Sequence, residues 1–308
     1  MTGSSGPSDL TYQKEEDIMK RWKSLSYLLL MLTVFASLTA ASGASKSGFK
    51  YKTIDVPGAV LVTVYGINDL GIVVGTYVDP NFIYHGFTMF KGQYSTIDHP
   101  NAVYGTRCTG VNQLGTVVGA YYDADFLDHG FAYQHGKFTD INPPDAVSAT
   151  AAGINIWGRI VGMYGDSTGV HGFLFDGAQY TKLDVPDATW TWATGINDWG
   201  LITFTWGDAN GNDQASIFDG KTYRLINVPG AFWSDTWAIN NWGDVAITWF
   251  DENIIQHAAL YHAGKHRMIV IPPDIRTWAL GVNDFGIVVG SYKPADRRPL
   301  GYEGSFAW

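Results

Sequence analysis

The 308-residue chain has one cysteine, few cations and no apolar run long enough for a comfortable bilayer span, and each shortage removes a class of protein. A single cysteine, Cys108, excludes a disulfide framework. Lys and Arg number 20 against 29 Asp and Glu, a net charge of −9. Residues 1–44 hold four of each sign, so the deficit lies in residues 45–308, at 25 acidic against 16 basic. Phosphate recognition needs clustered Lys and Arg. Beyond residue 44 only Lys293, Arg297 and Arg298 cluster, as expected of a solvated loop, so nucleic acid is not an expected partner. No Gly-x-Ser-x-Gly elbow, HExxH pair or phosphate loop occurs, and neither a metal nor a cofactor is expected. What is present is apolar: 46% of residues are hydrophobic and 15% aromatic, enough for a core and too much for a disordered chain. The 36 glycines show no every-third-residue spacing, which excludes a collagen-like helix.

Residues 1–44 read as an N-terminal extension followed by a secretory signal peptide. Lys20, Arg21 and Lys23 precede an apolar run from Tyr27 to Leu38, and small residues follow through Ala40, Ala41, Ser42, Gly43 and Ala44. The run falls short of the roughly 20 residues that span a bilayer. Cleavage after Ala41 or Ala44 satisfies the small-x-small rule, with an uncleaved anchor as the alternative. Met19, directly before the basic residues, is an alternative start. An extracellular or periplasmic protein without a stable membrane anchor is the expectation.

Residues 45–308 form one domain of repeats. A Gly-Ile-Asn-Asp-like tetrad followed by x-Gly begins at Gly66, Gly110, Gly153, Gly195, Ala238 and Gly281, at spacings of 42 to 44 residues. An Asp/Asn-x-Pro-x-Ala corner precedes each of the first five, as at Asp55 to Ala59, and Ile271 to Ile275 departs from it in the sixth. After each tetrad come an Ile-Val-Gly-like strand, an aromatic six residues past the turn glycine, and His-Gly-Phe at His85, His129 and His171. The last motif is weakened to Gln214-Ala215-Ser216 and His257-Ala258-Ala259. Pairs such as Lys91-Gly92 and His135-Gly136 separate β-rich runs as two-residue hairpins do, and the corner proline ends a strand because it lacks a ladder donor. About four short strands per 43 residues, six times over, predict an all-β, closed six-bladed β-propeller of four-stranded repeats. The chain enters mid-unit at Phe49 to Ile54 and ends with Leu300-Gly301-Tyr302, a degenerate His-Gly-Phe, so the C-terminal strand is expected to complete the first blade. An open β-solenoid is the rival.

These motifs, Gly-Ile-Asn-Asp-x-Gly-x-Ile-Val-Gly-x-Tyr at Gly66 to Tyr77, His-Gly-Phe at His85 to Phe87 and Tyr-x-Thr-Ile-Asp-Val-Pro-Gly-Ala at Tyr51 to Ala59, resemble the HAF repeat family of extracellular bacterial repeat proteins. The resemblance covers residues 49–302. It implies export and a repeat architecture, and carries no catalytic residue or substrate. Phe204 and Ile247 replace the family glycine in units four and five, where the likeness is weakest.

A residue present in every unit is expected to serve the unit, and function to lie where one unit differs. The histidines of His-Gly-Phe, a blade apart, therefore read as structural hydrogen bonders, Asp208 to Asp213 as a hairpin turn in place of a calcium loop, and Cys108 as a small buried filler. Trp157, Trp199, Trp242 and Phe285 occupy a repeated turn position with Leu70 and Leu114 and read as packing. The informative departures precede the tetrad. Third back stand Thr63, Arg107, Thr150, Trp192, Asp235 and Trp278, and fifth back Leu61, Gly105, Ser148, Trp190, Trp233 and Arg276. Alternation places these on one face or rim. With Trp237, five indoles gather in units four to six. Trp190, Trp192, Trp233, Trp237 and Trp278, with Arg107, Asp235 and Arg276, are the expected ligand-binding residues. Indoles stack on sugar rings or on a partner's side chains, and the rival reading has these five fill gaps between blades. A monomeric binding scaffold for a polysaccharide or cell-surface glycan, or for another extracellular protein, is the leading expectation. A hydrolase or lyase with an acidic funnel site and a purely structural surface protein are the alternatives.

Overall fold

A computed structural model describes residues 51–271, 276–293 and 304–307. The leader and the Leu300 to Tyr302 segment lie outside these residues, and no described helix is long and apolar enough to cross a membrane. The chain is all strand. β1 (Lys52–Ile54) is followed by β2 (Leu61–Ile67), β3 (Val73–Val78), β4 (Tyr84–Phe90) and β5 (Gln93–Ile97). The second unit is β6 (Gly105–Val111), β7 (Val117–Tyr122), β8 (Asp128–Gln134) and β9 (Lys137–Asp140). The third is β10 (Ser148–Ile154), β11 (Ile160–Asp166), β12 (Gly169–Phe175) and β13 (Tyr180–Leu183). Then come β14 (Trp190–Ile196), β15 (Ile202–Gly207), β16 (Asp213–Phe218) and β17 (Tyr223–Leu225), followed by β18 (Ala231–Ile239), β19 (Val245–Asp251), β20 (Gln256–His262) and β21 (Lys265–Ile269). β22 (Arg276–Val282), β23 (Val288–Lys293) and β24 (Gly304–Ala307) complete the described strands.

The pairing is that of a β-propeller, but it corrects the expectation of six separate four-stranded blades in a closed ring. Four sheets are four-stranded: β10 to β13, β14 to β17, β18 to β21, and β1-β24-β23-β22. The other eight strands, β2 to β9, form one continuous sheet through a parallel bridge between Tyr84 of β4 and Gly105 of β6. The cause is local. Gly105 sits at a φ of 123°, and a β-carbon there would run into the Tyr84 carbonyl. Every other unit carries a side chain at this position, and among the described residues only the second unit lets the two strands touch.

A second correction concerns the C-terminus. The strand seated between β1 and β23 is Gly304–Ala307, with Thr53 opposite Phe306 and Gly290 opposite Phe306. The motif that fits there is Gly304-Ser305-Phe306 and not the expected Leu300-Gly301-Tyr302.

The core repeats one slot per unit. Gly75 faces Phe87, Gly119 faces Phe131, Gly162 faces Phe173 and Gly290 faces Phe306, and all four phenyl rings are fully buried. In the two units that depart from the motif the sizes are exchanged: Phe204 faces Ser216 and Ile247 faces Ala259. The volume now comes from the second strand instead of the third, which accounts for the weakened His-Gly-Phe there. Each filled slot removes roughly 1.5–3 kcal/mol of apolar surface from water.

At the inner edge the tetrad asparagines link the units. The Nδ2 groups of Asn68, Asn112, Asn155, Asn197 and Asn240 each donate to the main-chain oxygen of the next asparagine, at 2.9 to 3.2 Å. Asn283 donates to Asn68 at 3.2 Å, returning the series to its start. Each Oδ1 accepts its own turn's N–H groups, as in Ile72 N to Asn68 Oδ1 at 2.9 Å.

Candidate functional site

The tetrad turns build one face of the molecule. Beside the asparagines stands a second ring of side chains: Asp69, Gln113, Ile156, Asp198, Asn241 and Asp284. All but Ile156 accept an N–H group of the neighbouring turn, as in Asp198 N to Asn241 Oδ1 at 2.8 Å and Asp284 N to Asp69 Oδ1 at 2.8 Å, while Ile156 only donates its main-chain N–H, to Asp198 Oδ1 at 2.8 Å. Asn241 Nδ2 bridges the carboxylates of Asp198 and Asp284 at 2.8 and 2.9 Å, and Gln113 Nε2 donates to Asp69 at 2.7 Å. Burial pushes the Asp69 carboxyl above its usual range, and the neighbouring Asp284 adds to that rise. Together these groups floor a polar depression of about 70 Å³.

Around it stands a crown of apolar side chains. Leu70, Leu114, Trp157, Trp199, Trp242 and Phe285 are 61 to 78% exposed. The packing expected of this position is therefore not found. The residue lies at the tip of its turn, past the end of the sheet, where no second layer reaches it. The indoles are nonetheless fixed at one edge. Trp157 Nε1 donates to the Asp198 carbonyl at 3.1 Å, Trp199 to Asn241 at 3.0 Å and Trp242 to Asp284 at 2.9 Å. Each indole thus reaches one unit ahead while its ring stays in solvent. The sequence carried the signal, a large aromatic directly before the turn glycine in consecutive units.

The residues singled out before the tetrads line the opposite, inner part of the fold. In every innermost strand the pairing register skips one residue, at Tyr65, Thr109, Ala152, Thr194, Trp237 and Leu280. Such bulges re-aim a side chain, and all six line the central channel with Arg107 and Trp192. Trp192 and Trp278 are 9% exposed, Trp237 is half-buried against Trp192 with ring centroids 5.5 Å apart, and Trp190 and Trp233 are half-buried at the far end. Arg107 is fully buried over the Tyr122 ring, its Nη2 2.8 Å from Asp128 Oδ2, and Thr150 donates to the same oxygen at 3.1 Å. Arg276 is exposed. The structure therefore gathers Arg107, Trp192 and Trp237 around one void, and leaves Trp190, Trp233 and Arg276 at the channel's far mouth.

Asp235 is half-buried, and its carboxyl is held well above the ordinary range by desolvation and then by the charge of Asp213. Asp213 itself is pushed up to about 6, by burial first and Asp208 second.

The His-Gly-Phe histidines serve the blades. His85, His129 and His257 stack on Tyr77, Tyr121 and Trp249 at centroid distances of 4.9 to 5.2 Å and pair with carboxylates of their own units. His171 sits 2.8 Å from Thr168 Oγ1 and 3.0 Å from Asp184, which has the outline of a nucleophile, base and orienting acid. Thr168 Oγ1, however, donates to Asp166 at 2.6 Å, so its proton is directed away from the imidazole a nucleophile would need. Among the described residues no three His, Cys, Asp or Glu are placed to hold a metal ion. The Asp208 to Asp213 loop is a capped turn, with Asp208 Oδ1 accepting Asn210 N and Asn212 N at 2.8 and 2.9 Å.

No family model and no curated protein matches the chain. Among solved structures it is similar to TolB from Acinetobacter baumannii, with a TM-score of 0.53 at 10% identity over 76% of this chain and 63% of that one, a likeness of fold. AofleA from Arthrobotrys oligospora matches with a TM-score of 0.49 at 16% identity over 84% of this chain and 87% of that one. An Aleuria aurantia lectin mutant in complex with Fucalpha1-6GlcNAc gives 0.45 at 10% identity over 79% and 94%.

Proposed function

We propose that this β-propeller is an exported glycan-binding module of the HAF repeat kind, led out by residues 1–44, whose ligand surface is the aromatic arc of the tetrad face. The observation that carries this reading is that Trp157, Trp199 and Trp242, at one position of three consecutive units, are 69 to 78% exposed while their N–H edges are hydrogen-bonded. A free indole loses rotamer freedom on binding; these have already lost it on folding, so little ordering cost remains when a ligand stacks on them. The apolar face of a pyranose suits such a ring, and the carboxylates and amides of the neighbouring ring are at hand for hydroxyl groups. Equivalent stacking positions one unit apart suit a polymer of repeating sugars. The acidic surface favours neutral or amino sugars over sulfated or uronic ones.

A second surface, at the far channel mouth, is favoured by the half-buried Trp190 and Trp233 beside the exposed Phe232 and Arg276. One experiment separates the two. Tryptophan fluorescence and calorimetric titration against soluble polysaccharides and peptidoglycan fragments, with product analysis of the same mixtures, should give saturable binding without new products. Each of Trp157→Ala, Trp199→Ala and Trp242→Ala should weaken it by roughly 0.5–1.5 kcal/mol, about 2- to 13-fold, at unchanged stability. Arg276→Ala should leave it unchanged. Loss confined to Arg276→Ala would move the site to the far mouth, and new products would make the protein an enzyme.

A further inference from the structure

The channel wall contains an excess of buried donors. The guanidinium Nε of Arg107 and the indole Nε1 of Trp192 and of Trp237 are each shut off from solvent and bonded to no protein acceptor. All three residues line one void of about 30 Å³, room for about one or two water-sized guests. Arg107 is 2% exposed and Trp192 9% exposed, so neither group can reach bulk water. Leaving a buried N–H unmatched costs about 1–3 kcal/mol, and three in one place require a partner.

The rest of the lining narrows what that partner is. Thr109 Oγ1 already donates to the Ala151 carbonyl at 2.6 Å, and Thr194 Oγ1 lies 2.8 Å from Thr236 Oγ1 and 3.2 Å from the Thr203 carbonyl. Ala152 and Leu280 offer only carbon from their side chains. On the residues that line the void the unmatched groups are thus all donors, and the one unmatched acceptor beside them, Asp128 Oδ1, lies on the carboxylate already bonded to the guanidinium Nη2. A water molecule accepting from them would still have to place two protons of its own, whereas a monatomic anion only accepts. The charges permit it: Asp128 is paired with the guanidinium Nη2, and desolvation holds the carboxyl of Asp235, on an innermost strand of the same channel, well above its ordinary range.

We propose that the channel binds one small halide ion, of the size of chloride, held by Arg107 Nε–H, Trp192 Nε1–H and Trp237 Nε1–H. The site is separate from the tetrad face and does not depend on the glycan reading. It calls on the off-repeat residues: the other units place Thr63, Thr150, Asp235 and Trp278 where Arg107 and Trp192 stand.

The test uses the full chain at constant ionic strength, exchanging gluconate for chloride or bromide. The melting temperature should rise saturably with halide, and bromide should quench part of the tryptophan emission over the same range. Trp192→Phe, which keeps the ring and removes the N–H, should weaken the halide dependence at least tenfold, and Trp237→Phe likewise. Equal melting temperatures in gluconate and chloride, or an identical halide response in Trp192→Phe, would overturn the proposal and assign the void to water. Should either variant fail to fold, crystals of the unmodified protein grown in bromide decide it: an anomalous peak between these three nitrogens supports the site, and its absence refutes it.

Discussion

The exchange of Phe for Gly between facing strands can be tested as a swap in place. In unit four Phe204 fills the slot and Ser216 faces it, both buried. Phe204→Gly alone removes the whole ring, about 3–5 kcal/mol for a large-to-small core change plus about 0.5–1 for glycine in a strand. Ser216→Phe alone forces a second ring into an occupied slot, at about 1–3 kcal/mol. If the slots were independent, the double variant would lose the sum of the two. If they are one slot, Phe204→Gly with Ser216→Phe restores the arrangement of units one to three and should return to within about 2 kcal/mol of the parent, a coupling of several kcal/mol. Urea unfolding midpoints at matched slope measure it. Additive losses would refute the shared slot. The reverse exchange in unit three, Gly162→Phe with Phe173→Ser, should not recover, because any β-carbon at residue 162 runs into the Thr150 carbonyl. Recovery there would refute the role given to the backbone.

Three further predictions follow from burial and charge. Asp213 has a folded pKa raised from 3.8 to about 6, so the native state binds the proton more tightly than the unfolded chain, and its contribution to stability is lost as pH rises through about 6. Asp213→Asn should flatten the fall in stability between pH 4 and pH 8 by roughly 2–3 kcal/mol; an unaltered pH profile in thermal melts would show the carboxyl to be free. Phe306→Ala should cost about 3–5 kcal/mol, and removing residues 304–307 should cost more, because β1 and β23 both lose their partner; an unchanged melting temperature would show that β24 does not bridge them. Burial raises the Cys108 thiol well above its usual range, so an aromatic disulfide reagent should label it only on unfolding, and rapid labelling of the native protein would contradict that placement.

The period, the strands and the turns were legible because their chemistry is local: proline ends a strand, and asparagine with glycine closes a turn, wherever they stand. The merged sheet was not, since it depends on one residue, Gly105, whose missing side chain matters only against Tyr84, 21 residues away. The closing strand was misplaced for a related reason. Leu300-Gly301-Tyr302 has the motif's shape, but the rule the sheet enforces is a phenyl ring opposite glycine, and Phe306 opposite Gly290 satisfies it. The Arg107 to Asp128 pair likewise joins positions 21 apart, with nothing between them to announce it. At the crown the letters were plain and the inference from them failed: a residue repeated in every unit was read as packing, although a turn tip has nothing to pack on.

That failure bears on where function resides in a repeat protein. Positions that vary between units, three and five residues before the tetrad, mostly face inward, and among them Trp192, Trp278 and Arg107 are nearly or fully buried; the repeated turn position is the exposed one. Both arrangements follow from geometry. A guest on the central axis meets all units at once, and six equal side chains would offer it six equal contacts, so a directional set of donors there requires the units to differ. A long ligand crossing the outer face meets the units in turn, and each should offer the same contact so that successive weak stackings multiply in avidity. Variation then marks the place of a small, single guest, and repetition the place of a polymer. Trp192 and Trp237, whose unmatched N–H groups are shut off from solvent, and Trp157, Trp199 and Trp242, exposed with their N–H groups matched, divide along that line. The first set needs an acceptor for its nitrogens, whereas the exposed set has its nitrogens satisfied and offers only the faces of its rings.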